Sequence, residues 1–177
     1  MPRSLTRFSA LAAIACTAIS AAPAALAQQP DGGFTLKGKP VIAMLYYGPK
    51  NDGGWTQALD EARVKIEAAL GLKVQFVENI SEDASVIKPA AERFISRGAN
   101  IVIGTAFGHS DSFKDLAARH PDVAFLNASG TTNGPNLESF YGRTYESQYL
   151  CGMAAGAASK TGKLGFVAAN PFGVVNW

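Results

Sequence analysis

Short apolar segments of strand length alternate with segments of helical periodicity along most of this chain. The predicted strands lie at residues 40–46, 73–77, 99–104, 123–126, 139–142 and 163–168. The predicted helices lie between them, at residues 55–70, 85–97, 110–120 and 145–159. This alternation is typical of βαβ units, in which helices cover a parallel sheet. The sequence therefore predicts an α/β fold with a Rossmann-like, mostly parallel sheet.

Capping residues and apolar spacing give further detail on the predicted helices. Asp83 or Ser85 can cap the second helix, with Pro89 in its first turn, and Ser110 or Asp111 begins the third. The first helix has apolar residues at helical spacing, which predicts one buried face: Leu59, Ala62, Ile66, Ala69 and Leu70.

The first 27 residues have the organisation of a secretory signal peptide. Two arginines precede an apolar stretch at residues 8–19, and a small-residue pattern ends at Ala27, after which we predict cleavage. The apolar stretch is short for a transmembrane helix and is followed by Pro23, which disfavours an uncleaved anchor. Cys16 raises a lipid-attached form as the less favoured alternative. The chain is therefore predicted to be exported.

Charge and cysteine content exclude several kinds of partner. The 16 basic residues of the whole chain, less Arg3 and Arg7 of the signal, equal the 14 acidic residues. A neutral chain without a basic stripe does not favour nucleic acid or a membrane surface. Cys151 is the one cysteine beyond the signal, so no intramolecular disulfide is expected, and its small apolar surroundings predict a buried thiol. His109 and His120 lack neighbours at metal-ligand spacing, so no metal or cofactor is predicted.

The segment NDGGWTQ at residues 51–57 directly follows the first predicted strand. Parallel sheets bind ligands at the carboxyl ends of their strands, so this Gly-rich turn is expected at the binding edge. Trp55 offers a flat face for a flat ligand. This arrangement favours a small-molecule receptor.

Motifs of several enzyme classes are missing from the sequence. The first turn matches neither a dinucleotide fingerprint nor a phosphate-binding loop, and no G-x-S-x-G segment occurs. Residues 108–111, GHSD, bring three catalytic residue types together, but consecutive side chains at a helix start point apart. The simpler interpretation of this segment is a helix N-cap. We therefore predict no catalytic residues.

The chain resembles the basic membrane protein (BMP) family of exported solute-binding receptors from about residue 41 onward. The resemblance rests on an ordered set of short segments: NDGGWTQ (51–57), TAFG (105–108), HPDV (120–123), YGRTYESQYLCG (141–152) and GFVAA (165–169). Family members include purine base and purine nucleoside receptors of ABC transporters. The resemblance implies a periplasmic-binding-protein type I-like fold of two lobes, with the ligand in the cleft between them.

The resemblance also implies a domain organisation. A signal peptide at residues 1–27 and a linker at residues 28–39 would precede an amino-terminal lobe at residues 40–142. Residues 143–177 would form a hinge crossover and the beginning of an incomplete second lobe, with the hinge near residues 139–143. We therefore expect this chain to be part of a longer periplasmic protein, which would meet the membrane only through an ABC permease.

The resemblance implies ligand contacts at Asn51, Asp52, Trp55, Phe107 and Asn127. Four of these five residues have a structural alternative or depart from the family. Trp55 could pack beneath its own helix, Asp52 could cap that helix, and Phe107 could pack against the neighbouring helix. Asn127 stands where many nucleoside-binding relatives carry Asp, so that base and nucleoside both stay open. Thr56 replaces an Asn that is common in the family, which weakens the prediction of hydrogen bonds to the ligand.

Two other functions stay open from the sequence. A receptor of the same fold could bind a sugar, because sugar sites also use tryptophan stacking. A periplasmic α/β enzyme is the third possibility, although no catalytic constellation supports it.

Overall fold

The computed structural model describes residues 33–168 of the 177-residue chain. Its strands are β1 (Ile42–Leu45), β2 (Gln75–Val77), β3 (Ile101–Gly104), β4 (Ala124–Ala128) and β5 (Leu137–Phe140). Its helices are α1 (Trp55–Leu70), α2 (Ala84–Ile95), α3 (Ser110–Arg119) and α4 (Thr144–Ala158), with a short 3-10 helix (Phe107–His109) before α3. The predicted signal peptide and the chain beyond residue 168 lie outside the described residues.

All five strands form one parallel sheet in the order β2-β1-β3-β4-β5. The predicted parallel α/β fold is therefore confirmed. The strand order reverses between β1 and β3, because the chain first moves outward to β2 and then returns past β1. Such a reversal opens a crevice at the carboxyl ends of the two strands, which is the usual ligand position in open α/β sheets.

The strands bury both faces of the sheet. On one face, Leu45, Val102 and Phe125 pack with residues of α2 and α3 such as Ile87 and Phe113. On the other face, a smaller cluster contains Ile42, Met44, Tyr46, Val74 and Ile103, with Ile66 of α1 packed against it. Burial on both faces explains why β1 and β3 read as continuous apolar runs in the sequence.

Helix α1 has the predicted bounds, but the prediction of its buried face was partly wrong. Leu59, Ala62 and Ile66 are half-buried, whereas Ala69 and Leu70 are exposed. A helix of 16 residues is about 24 Å long. The four residues of β1 span only about 13 Å. The last turn of α1 therefore extends beyond the sheet that its apolar face covers.

Smaller corrections concern two other elements. Pro89 lies inside α2 and not in its first turn, and Asp83 caps that helix by accepting a hydrogen bond from the Ser85 N–H at 2.7 Å. Strand β4 continues through Asn127 and Ala128, which the turn-like composition had assigned to a loop, because β5 pairs with it at those positions.

Two predictions about the carboxyl-terminal part of the chain were wrong. Residues 163–168 form no strand, and Cys151 is exposed on α4, none of whose residues is buried. A strand requires a neighbour for its N–H and C=O groups, and no described strand pairs with residues 163–168. Small apolar residues likewise indicate burial only where another element covers them, which none of the described elements does for α4.

Close packing beneath the carboxyl edge of the sheet leads to a stability prediction. A Cβ atom on Gly104 would lie 2.8 Å from the Phe113 ring and 3.0 Å from His109 Nδ1. We expect Gly104→Ala to lower the free energy of unfolding by about 1–3 kcal/mol, measured by urea denaturation. Gly152→Ala is the control, because a Cβ there meets nothing within 4 Å. Replacing a glycine inside a helix by alanine should raise the free energy of unfolding by about 0.5–1 kcal/mol. Equal effects of the two substitutions would contradict the packing described.

Candidate ligand-binding site

The carboxyl ends of β1 and β3 are joined by the side chain of Thr105, which follows β3. The Thr105 hydroxyl donates a hydrogen bond to the Leu45 carbonyl at 3.0 Å and accepts one from the Tyr47 N–H at 3.0 Å. The Thr105 side chain is fully buried. It therefore fixes the start of both loops that border the crevice.

Trp55 lies at this crevice and is 40% exposed. The indole Nε1–H donates a hydrogen bond to the Thr105 carbonyl at 2.6 Å. This bond uses the single donor of the indole ring, so the ring can offer a partner its faces and edges but no further N–H. A loop after β1 is thereby anchored at the end of β3.

Asp52 holds the loop that delivers Trp55. Asp52 Oδ1 accepts hydrogen bonds from the N–H groups of Gly54 (2.8 Å) and Gln57 (3.0 Å), and Oδ2 accepts one from Thr56 (3.0 Å). These backbone bonds lower the pKa of Asp52 to about 2, with that of Gln57 contributing most. A carboxylate accepts about four hydrogen bonds, so little capacity is left for another partner. Asp52 thus fixes the start of α1.

Asn51 is exposed in the same loop, beside a second anchor of that loop. The neighbouring Lys50 N–H donates a hydrogen bond to Glu78 Oε1 at 2.6 Å, which ties the loop to the chain after β2. The structure therefore brings Asn51, Asp52 and Trp55 together on one anchored loop.

Phe107 lies in the 3-10 helix that follows β3, and Asn127 lies in β4. Phe107 is half-buried in the 3-10 helix, and its carbonyl accepts a hydrogen bond from the Ser110 hydroxyl at 2.7 Å. Asn127 is fully buried. The groups around the Asn127 amide orient it so that Nδ2 donates hydrogen bonds to the carbonyls of Ala106 (3.0 Å) and Gly104 (3.2 Å).

The oxygen of the Asn127 amide completes this arrangement by accepting a hydrogen bond from the Ser110 N–H at 3.2 Å. The Asn127 side chain therefore braces the segment that carries Phe107. An Asp at this position would direct a carboxylate oxygen at two carbonyl oxygens, which explains why an amide suits this environment.

The sequence analysis did not single out two residues of this region, the aromatic Tyr141 and the polar Thr105. Tyr141, just after β5, has its ring centroid 6.2 Å from that of Trp55, with 28° between the ring planes. Thr105 was treated only as part of a motif. Both could have been found by taking the first residues after every strand, because all five parallel strands end at the same edge.

The GHSD segment has a structural role in the described chain. His109 is fully buried, with Nε2 3.3 Å from the Ile80 carbonyl, and burial lowers its pKa, which favours the neutral ring. The Ser110 hydroxyl is directed at the Phe107 carbonyl and not at the imidazole. Among residues 33–168, no group of three His, Cys, Asp or Glu side chains could hold a metal ion.

The depressed pKa of Asp52 predicts an acid-sensitive loop. A group whose pKa is lowered by folding contributes stability above its unfolded value of about 4, and that contribution is lost as the pH falls toward 2. We expect carboxyl-resolved NMR to give Asp52 a pKa near 2, and the Trp55 fluorescence to change over the same pH range. Asp52→Ala should abolish this change, whereas Asp111→Ala, which removes an exposed acid at the start of α3, should preserve it. A measured pKa near 4 for Asp52 would refute the three backbone hydrogen bonds described for its carboxylate.

The Thr105 hydroxyl gives a second prediction. Thr105→Val keeps the side-chain shape but leaves the Leu45 carbonyl and the Tyr47 N–H without this partner, which should lower the free energy of unfolding by about 1–3 kcal/mol. Thr105→Ser retains the hydroxyl and is the matched control. Chemical denaturation of both variants tests this, and a Val variant as stable as the Ser variant would show that the hydroxyl is dispensable.

Comparison with known proteins agrees with this architecture. Residues 39–177 match the family model of the PnrA-like ABC transporter substrate-binding proteins, Bmp. A purine-binding protein of Brucella abortus (strain 2308) is 36% identical over 151 residues, which cover 78% of this chain and 42% of that protein. A Haloferax volcanii protein, TsgA13, named as an ABC transporter glucose-binding protein, is 31% identical over 143 residues, covering 80% of this chain and 36% of that protein.

The fold is shared with solved structures of the same class. An ABC transporter solute-binding protein from Conexibacter woesei DSM 14684 superposes with a TM-score of 0.57 at 25% identity, over 67% of this chain and 40% of that one. This chain spans less than half the length of these relatives. The described residues include no helix that is both long and apolar enough to cross a membrane. The chain belongs to the Bmp family of PnrA-like ABC transporter substrate-binding proteins.

Proposed function

We propose that this chain is part of an exported receptor that captures a purine base or nucleoside for an ABC importer. The observation that carries the proposal is the presentation of Trp55 at the crevice between β1 and β3, where its indole N–H is bonded to the Thr105 carbonyl. A ring held in this way offers its π-face, and purines are flat and stack on such faces. The purine-binding relative from Brucella supports the same ligand class.

The contacts proposed from the sequence take different parts in this function. Trp55 stacks on the base, and Asn51, exposed beside it, supplies an amide for the polar edge of the ring. Asp52 offers its one remaining acceptor position while it fixes the loop. Phe107 adds aromatic surface, and Asn127 acts from beneath by bracing the segment of Phe107.

Glucose is the second candidate ligand. The named glucose-binding relative from Haloferax favours it, since tryptophan also stacks on sugar rings. A sugar, however, exposes hydroxyl groups all around its ring and requires many polar partners. At this crevice the indole N–H, most of the Asp52 carboxylate and the Asn127 amide are already bonded within the protein. Purine therefore remains the preferred ligand.

The transport mechanism involves more of the protein than this chain. We propose that cleavage after Ala27 releases the receptor into the periplasm, and that a second lobe begins after a hinge near residues 139–143. A ligand that bridges the two lobes stabilises the closed form, which the permease then recognises. In this proposal the protein binds and delivers its ligand and does not transform it.

Isothermal titration of the full-length protein with adenine, guanosine and glucose tests the ligand class. We expect adenine or guanosine to bind, and Trp55→Ala to weaken binding about 10- to 100-fold, because base stacking on an aromatic side chain contributes about 1–3 kcal/mol. Trp55→Phe keeps an aromatic face but loses the hydrogen bond to the Thr105 carbonyl, so its affinity should lie between those of the parent and Trp55→Ala.

Val64→Ala is the matched control, because Val64 is an exposed residue of the same helix. Binding of glucose alone would overturn the purine proposal in favour of the second candidate. Purine binding that Trp55→Ala leaves unchanged would show that the ligand lies elsewhere.

A further inference from the structure

The loop between β2 and α2, residues 78–83, contacts the chain that follows two other strands. In the sheet, β2 is the neighbour of β1, and β3 lies on the far side of β1. Neighbouring strands lie about 4.8 Å apart, so a segment that starts at β2 must cross about 10 Å to reach the chain after β3. Residues 78–83 cover this distance and meet both the loop after β1 and the 3-10 helix after β3.

Two contacts join the β2–α2 loop to the chain after β1. Glu78 Oε1 accepts a hydrogen bond from the Lys50 N–H at 2.6 Å. The Ile80 N–H donates a hydrogen bond to the Tyr46 carbonyl at 2.8 Å. Lys50 directly precedes Asn51, in the loop that leads into α1. The β2–α2 loop therefore holds this candidate ligand-binding loop at two points.

Two further contacts join the β2–α2 loop to the 3-10 helix after β3. Glu82 Oε1 accepts a hydrogen bond from the Gly108 N–H at 2.8 Å. His109 Nε2 lies 3.3 Å from the Ile80 carbonyl. A Cβ atom on Gly108 would lie 2.6 Å from the Cβ of Glu82, so this close approach requires glycine. Since the 3-10 helix also contains Phe107, the same loop holds a second candidate ligand-binding segment.

These contacts fix the two segments relative to each other, because one short loop bonds to both. The hydrogen bonds of the two glutamates are exposed, so a backbone N–H that loses its carboxylate can bond to water instead. Removal of one carboxylate should therefore free one segment without unfolding the sheet. A ligand that touches both segments would then have to order the freed segment on binding, which lowers its affinity.

We propose that Glu78 and Glu82 are positioning residues for ligand binding, which act through the backbone of the two segments and not by contact with the ligand. The inference rests on the proposed function and deepens it, because it names what sets the loop of Trp55 relative to the segment of Phe107. Each glutamate supplies an acceptor oxygen. Glutamine at either position keeps such an oxygen, whereas alanine removes it.

Isothermal titration of the full-length protein with adenine, guanosine and glucose tests this role. We expect Glu78→Ala and Glu82→Ala each to weaken binding of the ligand that the parent binds by about tenfold, with the urea midpoint of unfolding unchanged. Glu78→Gln and Glu82→Gln should bind within about threefold of the parent, because the amide oxygen accepts the same hydrogen bond.

Amide hydrogen exchange of the ligand-free protein gives a local measurement of the same role. Exchange should accelerate at the Lys50 amide in Glu78→Ala. It should accelerate at the Gly108 amide in Glu82→Ala. Glu138→Ala is the matched control for affinity and exchange, because Glu138 is an exposed glutamate of β5.

Two outcomes would overturn the positioning role and leave the purine receptor standing. The first is a purine affinity in both alanine variants that equals that of the parent. The second is a loss of purine affinity in the glutamine variants as large as that in the alanine variants, because the negative charge and not the acceptor oxygen would then matter.

The remaining outcomes separate this inference from the proposed function. A parent that binds glucose alone overturns the purine proposal, and the same variants are then judged by their glucose affinity. A parent that binds none of the three ligands overturns both. Loss of affinity in the alanine variants, with retention in the glutamine variants and faster exchange at the matching amide, supports the positioning role, because a general loss of stability would not be confined to one amide.

Discussion

The carboxyl edge of the sheet, where the candidate site lies, is held together by one buried residue, Thr105. Its hydroxyl bonds to β1 at the Leu45 carbonyl and to the following loop at the Tyr47 N–H, and its own carbonyl receives the Trp55 indole. Three parts of the chain are thus fixed at the point where the strand order reverses. The aromatic face of Trp55 is presented by the rigid sheet and not by a free loop, which under the proposed function reduces the ordering cost of binding.

A second polar network stabilises the neighbouring part of the edge. Asn127 in β4 satisfies two carbonyls at and just beyond the end of β3 and the N–H of Ser110 at the start of α3. Buried polar groups are costly when unpaired, so such a network admits few alternative geometries. The segment carrying Phe107 is therefore positioned by the core, just as Trp55 is positioned by Thr105.

The sequence was sufficient for those features that local patterns determine. The bounds of α1, the parallel α/β class and the location of the Trp55 turn follow from periodicity, capping residues and chain order. The sequence was insufficient where the structure or burial of a segment depends on another element packed against it. Residues 163–168 have strand composition but no described strand beside them, and Cys151 lies on a helix that no described element covers. The contact of Tyr141 with Trp55 likewise depends on three-dimensional proximity across the sheet.

The distribution of free polar groups indicates what this edge can recognise. The indole N–H, the Asn127 amide and most of the Asp52 carboxylate are bonded to protein partners, whereas two aromatic rings remain partly exposed. Stacking is tolerant of the pattern of donors and acceptors around a ring, but it is sensitive to flatness. Under the proposed function, an edge of this kind favours a planar ring as a class. In that proposal, discrimination among planar ligands falls to polar groups that reach the perimeter of the ring, and Asn51 is one exposed example on this loop.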